Sequence, residues 1–467
     1  MARRGKKLWR LAPLALALAL AAPGAWALDL MDAWRAALAH DPTYAAARAA
    51  HTAGATQNRQ ANALWLPMVA LQAGAGVGYA DSATRGARFA TPLFGSSNNV
   101  SFDTSIHSGT MTREGIELRQ PLFNRERSAQ SQQMRLGAQQ ADLAWDDAQA
   151  ELMLRTTQTY FDLALAGEQL RLIERQLDAV ARAQTEAQDR FKIGDKPITD
   201  VHEATARADA LRAQQLAAQT QLELRRIALA DLTGLADQLP TGAETGLALP
   251  STLPNDADVG QLADWLERVA AHAPLVQAAQ IGVRRAEQEA RKSDLAVAPS
   301  LDLIARAAHE QLTGSGDYGR ASNRQTQGMV GVQLTIPLDF GRGARHDESA
   351  AKIEQAQAEL DNARLQAAQQ ARAAWLGLSV GKSQVAALTA AAQASQARLD
   401  ATRTGHEAGE RTTLDLLNAE NDAAAAQLAL IQARVQVQLD GLRLARLAGT
   451  LDEARLQRLQ EALKTGP

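Results

Sequence analysis

Residues 194–201 read Gly194-Asp195-Lys196-Pro197-Ile198-Thr199-Asp200-Val201, and residues 409–416 read Gly409-Glu410-Arg411-Thr412-Thr413-Leu414-Asp415-Leu416. In both runs a Gly stands six positions before an Asp, and the two runs lie 215 residues apart. A second echo has an offset of 232: His40-Asp41-Pro42 answers to His272-Ala273-Pro274, and Pro67 to Pro299. An internal repeat of such long period means that one structural unit is used twice. Gly194 and Gly409 read as turn residues that need positive φ. Asp200 and Asp415 each suit the N-cap of a helix that follows such a turn.

On both sides of the two turns the sequence is helical. From Arg125 to Phe191 there is no Pro and the only Gly residues are Gly137 and Gly167; Ala344 to Thr404 is broken only by Gly377 and Gly381. At 1.5 Å per residue the first of these makes a helix of about 100 Å. Ala- and Gln-rich helices of that length need neighbours of similar length, in a coiled coil or a helical tube. Second helices are expected over about Asp200 to Leu232 and Leu414 to Ala448, so each turn closes an antiparallel helical hairpin.

Each long helix is preceded by strand-like sequence. A helix over about Leu30 to Leu64, broken at Pro42, leads into Val69 to Tyr79, where Val69, Leu71, Ala73, Ala75, Val77 and Tyr79 share one face. The Gly/Ser/Asn-rich segment Asp81 to Ser108 reads as a loop. A second strand follows over about Thr110 to Gln120. In the second half, Leu301, Leu303, Ala305 and Ala307 alternate with polar residues, Thr313 to Asn323 reads as a loop, and Val330, Val332, Leu334 and Ile336 alternate again. Pro121-Leu122-Phe123-Asn124 answers to Pro337-Leu338-Asp339-Phe340. Apolar residues on one face and polar ones on the other fit a water-filled barrel strand, and equally a soluble hairpin with one wet face. The Gly- and Pro-containing stretch Thr233 to Gly260 reads as a linker, and a short helix over Asp452 to Leu463 ends the chain. The organisation is therefore 1–27, a leader; 28–234, a first repeat; 235–260, a linker; and 261–467, a second repeat with its terminal helix.

The leader carries Arg3, Arg4, Lys6, Lys7 and Arg10 before an apolar stretch, Leu11 to Ala22, and Ala25-Trp26-Ala27 is a small-x-small cleavage site. This is a secretory signal peptide. Its removal leaves 44 Lys/Arg against 52 Asp/Glu, a net charge of −8. That balance argues against nucleic acid as a partner. There is no Cys, so an exported chain must rely on packing and assembly. No apolar run is long enough for a membrane helix, so entry into a membrane would require a β-barrel. Four strands cannot close one, and open edges are not tolerated in lipid; the chain must oligomerise around an axis.

The chain resembles the TolC family of outer-membrane efflux and type I secretion ducts. The residues that carry the resemblance are Leu30-Met-Asp-Ala-Trp34 with His40-Asp-Pro42, Gln120-Pro-Leu-Phe-Asn124, Thr159-Tyr-Phe-Asp162, Phe191-Lys-Ile-Gly194 with Ile198-Thr-Asp-Val201, Gly405-His-Glu-Ala-Gly409 with Thr412 to Asn418, and Leu447-Ala-Gly-Thr-Leu451. The likeness runs from about Leu28 to Leu463. It implies an α+β fold in a homotrimer, with four strands per chain and twelve in a membrane β-barrel. That barrel would continue into a long periplasmic α-helical coiled-coil barrel. It implies a location in the outer membrane extending into the periplasm, with lipid around the barrel. The implied partners are a periplasmic adaptor and an inner-membrane pump of the ABC or RND type, and the implied cargo is drugs, toxins or polypeptides. It implies no catalysis and no cofactor.

The resemblance also implies roles for residues at the hairpin tips. In the family a Tyr and an Arg on one hairpin bond a Thr-Asp pair on its neighbour and close the entrance. Arg411 matches the Arg, and Thr199 and Asp200 match the pair. The Tyr position is His406, which can still donate to Asp200 but with a charge that depends on pH. Two inward acids one turn apart ring the family's constriction; Asp415 matches the first, and the second position is Asn418. A single carboxylate ring predicts weaker cation selectivity than two. His40 and His272 read as structural, since no second His or Cys stands at metal spacing. A coiled-coil periplasmic adaptor or scaffold is the alternative, and it would lack the paired alternating strands. A secreted hydrolase would need a catalytic cluster that the sequence does not hold.

Overall fold

In a computed structural model the described residues are 28–464, apart from 94, 196, 252, 254–258, 318 and 340. The signal peptide expected over 1–27 lies outside them, as does Phe340 of the second Pro-Leu motif. Two helices, α1 (Leu30–His40) and α2 (Pro42–Ala63), lead into strands β1 (Met68–Thr91) and β2 (Gly95–Phe123). The long helix α3 (Arg125–Lys192) and its return α4 (Ile198–Thr233) follow. The same order recurs as α5 (Leu262–His272), α6 (Pro274–Leu295), β3 (Ser300–Gly316), β4 (Gly319–Thr335), α7 (Arg342–Glu407) and α8 (Thr413–Leu447), and α9 (Glu453–Lys464) ends the fold.

The duplication extends to dimensions and to packing. The paired helices have 11 and 11, 22 and 22, 68 and 66, and 36 and 35 residues. At Pro42 and Pro274 the break is the start of a helix, where a missing N–H costs nothing and φ is already helical. The Asp41 carboxylate caps α2, accepting from the Tyr44 amide at 2.9 Å and from Thr43 Oγ1 at 2.5 Å, and it also binds Arg155. Burial by itself would raise that carboxyl, but these bonds and the Arg155 charge hold it below its ordinary value. His40 ends α1 against Gly234, where an added Cβ would meet its Nδ1 at 2.7 Å; His272 ends α5 against Gly449, where a Cβ would meet its carbonyl at 3.0 Å. Gly234 and Gly449 have positive φ and close α4 and α8. The two His residues thus mark the same joint in both repeats, and among the described residues no group of acidic or His side chains could hold a metal.

The four strands form one antiparallel sheet in the order β1-β2-β3-β4. Its register sorts the side chains. Val69, Leu118, Ala305 and Val330 share a row on one face, and Leu71, Ile116 and Ala307 the next. The other face carries Ala70, Glu117, Arg306 and Met329 in one row. On that second face Arg306 donates to Glu117 at 2.6 Å, Arg119 lies 3.7 Å from Asp302, and Arg113 lies 3.8 Å from Glu310. The apolar face is open: Leu71 is 81 % exposed and Val330 76 %. Exposed patches of this extent mark a surface that another phase or chain covers.

The loops expected over Asp81–Ser108 and Thr313–Asn323 are instead strand up to Thr91 and from Gly95 in the first, and up to Gly316 and from Gly319 in the second. β1 and β2 stay paired out to Thr91↔Gly95, through register shifts between Gly78 and Ala80 and between Thr84 and Phe89. β3 and β4 stay paired to Gly316↔Gly319. The physical reason is that backbone pairing satisfies N–H and C=O groups whatever the side chains are. Alternating hydropathy reports only the stretch where one face meets apolar surroundings. Pairing of β2 with β3 begins at Ser108↔Ser315, so the tip of the first hairpin projects beyond the four-stranded sheet as a two-stranded arm.

The core lies where both repeats meet, away from the sheet. Leu30, Met31 and Trp34 of α1 pack with Tyr160, Phe161, Leu163 and Leu170 of α3, Leu222 and Leu229 of α4, Leu439 and Leu442 of α8, and Leu456 and Leu459 of α9. A second cluster joins Trp265, Val269 and Val276 to Ala367, Ala371 and Leu378 of α7 and to Val437 and Leu444 of α8. The segment between the repeats is tied to the first cluster: Leu239 and Leu247 are buried in it, and the Ala248 amide donates to the Tyr160 hydroxyl at 3.0 Å. Burial pushes that hydroxyl up to about 12, so it stays protonated.

Candidate functional site

The candidate site is the pair of helical tips, farthest along the chain from the sheet. Both are built alike. At the end of α3, Gly194 has φ +80°, its amide donates to Phe191 O at 2.9 Å, and the Asp195 amide donates to Arg190 O at 2.9 Å. At the end of α7, Gly409 also has φ +80°, its amide donates to His406 O at 3.0 Å, and the Glu410 amide donates to Gly405 O at 2.8 Å. These paired bonds are Schellman caps, which require the left-handed residue that Gly supplies at no steric cost.

The starts of the return helices differ. Neither Asp is the N-cap; both stand at the third helical position. In the first tip the N-cap is Pro197, with no side-chain bond to the helix. Thr199 is exposed and Asp200 half-buried, and among the described residues no side-chain hydrogen bond or ion pair engages either. In the second tip the N-cap is Thr412, and a capping box closes over it. Thr412 Oγ1 accepts from the Asp415 amide at 3.1 Å, and the Asp415 carboxylate accepts from the Thr412 amide at 3.0 Å and from its hydroxyl at 2.8 Å. The backbone and hydroxyl bonds from Thr412, with the nearby Arg411 charge, hold the Asp415 carboxyl below its ordinary range. Thr412-Thr413-Leu414-Asp415 carries a capping-box spacing that was legible in the sequence.

Three more contacts shape the second tip. Arg411 is exposed and lies over Gly405, where an added Cβ would meet Arg411 Cγ at 2.8 Å. His406 Nε2 lies 3.3 Å from Thr413 Oγ1. Asn418 is exposed one turn beyond Asp415, on the same side of α8. Within one chain no hydrogen bond or ion pair joins Arg411 or His406 to Thr199 or Asp200 among the described residues. On the tip side of the main core, Leu417 joins the two hairpins, buried with Val180, Ala183, Ala208 and Leu211. Sequence reasoning passed over Leu417, because a Leu in a helix has no signal that tells a core partner from a hairpin partner. It also passed over the bridges that run between α7 and α8: Arg398 to Asp422, and Arg403 to Glu420 at 3.5 Å.

The arrangement holds no catalytic set. It is a pair of stiff hairpins whose ends carry charge, attached through about 100 Å of helix to a sheet with one apolar and one charged face. Comparison with known proteins agrees. Residues 33–235 and 265–450 match the family described as "Outer membrane efflux protein". The chain is 26 % identical over 456 residues to "Proteases secretion protein PrtF" of Dickeya chrysanthemi, covering 97 % of this chain and 95 % of that one. It is 25 % identical over 471 residues to "Outer membrane protein TolC" of Vibrio cholerae, covering 97 % and 99 %. Its fold matches the crystal structure of the outer membrane protein VceC from Vibrio cholerae with a TM-score of 0.68 at 18 % identity, over 91 % and 97 % of the two chains. The family match extends through both repeats, and the chain belongs to the outer membrane efflux protein family: it is a TolC-like channel protein of the outer membrane with a periplasmic extension, not an enzyme.

Proposed function

We propose that three copies of the chain form one export duct. The observation that carries this is the sheet itself, four strands with β1 and β4 at open edges and an exposed apolar face. Open edges in lipid are too costly to persist, so β1 of one copy pairs with β4 of the next. Three sheets give twelve strands in a closed barrel, apolar outside and lined by Arg113, Glu117, Arg119 and Arg306 inside. The α3–α4 and α7–α8 hairpins of three copies continue it as a tube. A periplasmic adaptor and an inner-membrane pump, ABC or RND type, deliver cargo to the tips. PrtF's name speaks of protease secretion, which supports polypeptides among the cargo.

In this reading the tips are the entrance. Arg411 and His406 of one hairpin hold Thr199 and Asp200 of the hairpin beside it, and Asp415, with Asn418 beyond it, lines the constriction. Gly194 and Gly409 shape the two turns. Few charge-assisted bonds, about 1.5–3 kcal/mol each, are strong enough to keep a gate shut and weak enough to break. The test is extraction from outer membranes in detergent, mass measurement, and reconstitution in a planar bilayer. A trimer with discrete ion conductance is expected; a soluble monomer without conductance would sink the duct.

A further inference from the structure

We infer that the junction between sheet and helices is a docking surface for anionic phospholipid of the membrane leaflet that faces the periplasm. Exposed apolar side chains continue past the lower end of the sheet: Leu122 and Phe123 close β2, and Leu66, Ile336 and Leu338 lie just outside the strands, the last 82 % exposed. Directly after this band, in both repeats, the first helical residue is an Arg: Arg125 opens α3 and Arg342 opens α7. Both are exposed, and neither has a hydrogen bond or ion pair among the described residues. Their neighbours are committed: Arg127 donates to Leu64 O at 2.8 Å, Arg345 binds Asp339, and Lys352 holds Glu348 at 2.5 Å.

A cation at the first helical position opposes the helix dipole, which favours anions there. Helix stability therefore does not account for Arg125 and Arg342, and an Arg at the first position of both long helices points outside the chain. Continuity with the lipid-facing sheet says what is outside. Apolar side chains at this depth meet acyl chains, and a guanidinium one or two turns of chain away reaches the phosphate layer. Basic residues beside a membrane surface favour anionic headgroups, and guanidinium matches a phosphate oxygen pair.

The test uses the full-length protein in its native assembly, titrated with phosphatidylglycerol and separately with phosphatidylcholine, with bound lipids counted by native mass spectrometry. The wild type is expected to favour phosphatidylglycerol. Each of R125Q and R342Q should weaken phosphatidylglycerol binding about five-fold, the equivalent of one surface charge, and leave phosphatidylcholine binding unchanged; R125K/R342K should retain most of the preference. Because Gln removes a charge that opposes the dipole, the variants should melt in detergent no lower than the wild type. Absence of a preference in the wild type, or an undiminished one in R125Q/R342Q, overturns the proposal. So does a variant that loses subunit association while keeping its lipid preference, because the surface would then be a contact between copies.

Discussion

The two hairpin tips share one backbone and differ in how they hold their acid. Gly194 and Gly409 close the same Schellman turn at the same φ. Three residues beyond each Gly, Pro197 stands where the other copy has Thr412, and three further on are Asp200 and Asp415. Thr412 supplies a hydroxyl and an amide hydrogen, so it locks Asp415 into a capping box. Pro197 supplies neither, so Asp200 is left without a bond from its own cap. One residue difference therefore divides two equivalent carboxylates into one tethered by its own cap and one that, among the described residues, has no side-chain bond. A free carboxylate is what a neighbouring Arg or His can capture; a tethered one keeps its charge in place on the helix. Duplication supplied the hairpin twice, and the difference at the cap gave its two tips different bonding.

That contrast can be broken in several ways. The largest effect is expected from R411S combined with D200A, which removes both sides of the proposed inter-hairpin contact in every copy: single-channel conductance in planar bilayers should rise several-fold. Equal conductance would show that the tips are not held by these residues. Next, D415A should lower cation selectivity, read as a shift of reversal potential across a salt gradient towards zero, whereas D200A alone should shift it less. If both shift it equally, the two acids are not divided as described.

Smaller effects probe the cap itself. T412A should cost α8 about 1 kcal/mol at its start, seen as roughly five-fold faster amide exchange in its first turn, with α4 unaffected. The same variant should change the response to acid. Asp415 has a folded value below its ordinary 3.8, so its stabilisation is present above that ordinary value and lost as pH falls through the lower one. Without the Thr412 hydroxyl one of the bonds that lower it is lost while the amide of residue 412 remains, so fraying of α8 should begin at a somewhat higher pH, still below 3.8. The smallest effect, and the one with opposite sign, belongs to P197T. It writes Thr-Ile-Thr-Asp into the first tip and should slow exchange at the start of α4 by about 0.5–1 kcal/mol. By tethering Asp200 it should also raise conductance modestly; slower exchange with unchanged conductance would separate capping from gating.

Much of this fold was legible from local signals. Pro42 marked a break in the first helical stretch and Pro274 its echo, uninterrupted Ala- and Gln-rich runs marked α3 and α7, and period-two hydropathy marked the lower half of every strand. The upper halves were not legible. Asp81–Ser108 is written in residues that serve loops and paired strands alike, and only the cross-strand register from Gly78 to Thr91 shows which was chosen. At the tips, residue types and spacing brought out Gly194, Gly409, Asp200 and Asp415. Leu417, which joins the hairpins, was invisible because its partners lie more than 200 residues away in α3 and α4.

The sequence by itself determined the repeat, the helix lengths, the turn positions and the alternation of the strands. All of these follow from short-range rules of φ, periodicity and Pro or Gly chemistry. The tertiary structure decided which charged side chains pair across the sheet, that His40 and His272 seat on Gly234 and Gly449, and that Asp415 is tethered by its cap while Asp200 is not. Those outcomes depend on which distant backbone or side chain lies within hydrogen-bond reach. Local sequence constrains that distance only weakly, because it is set by the packing of the whole chain.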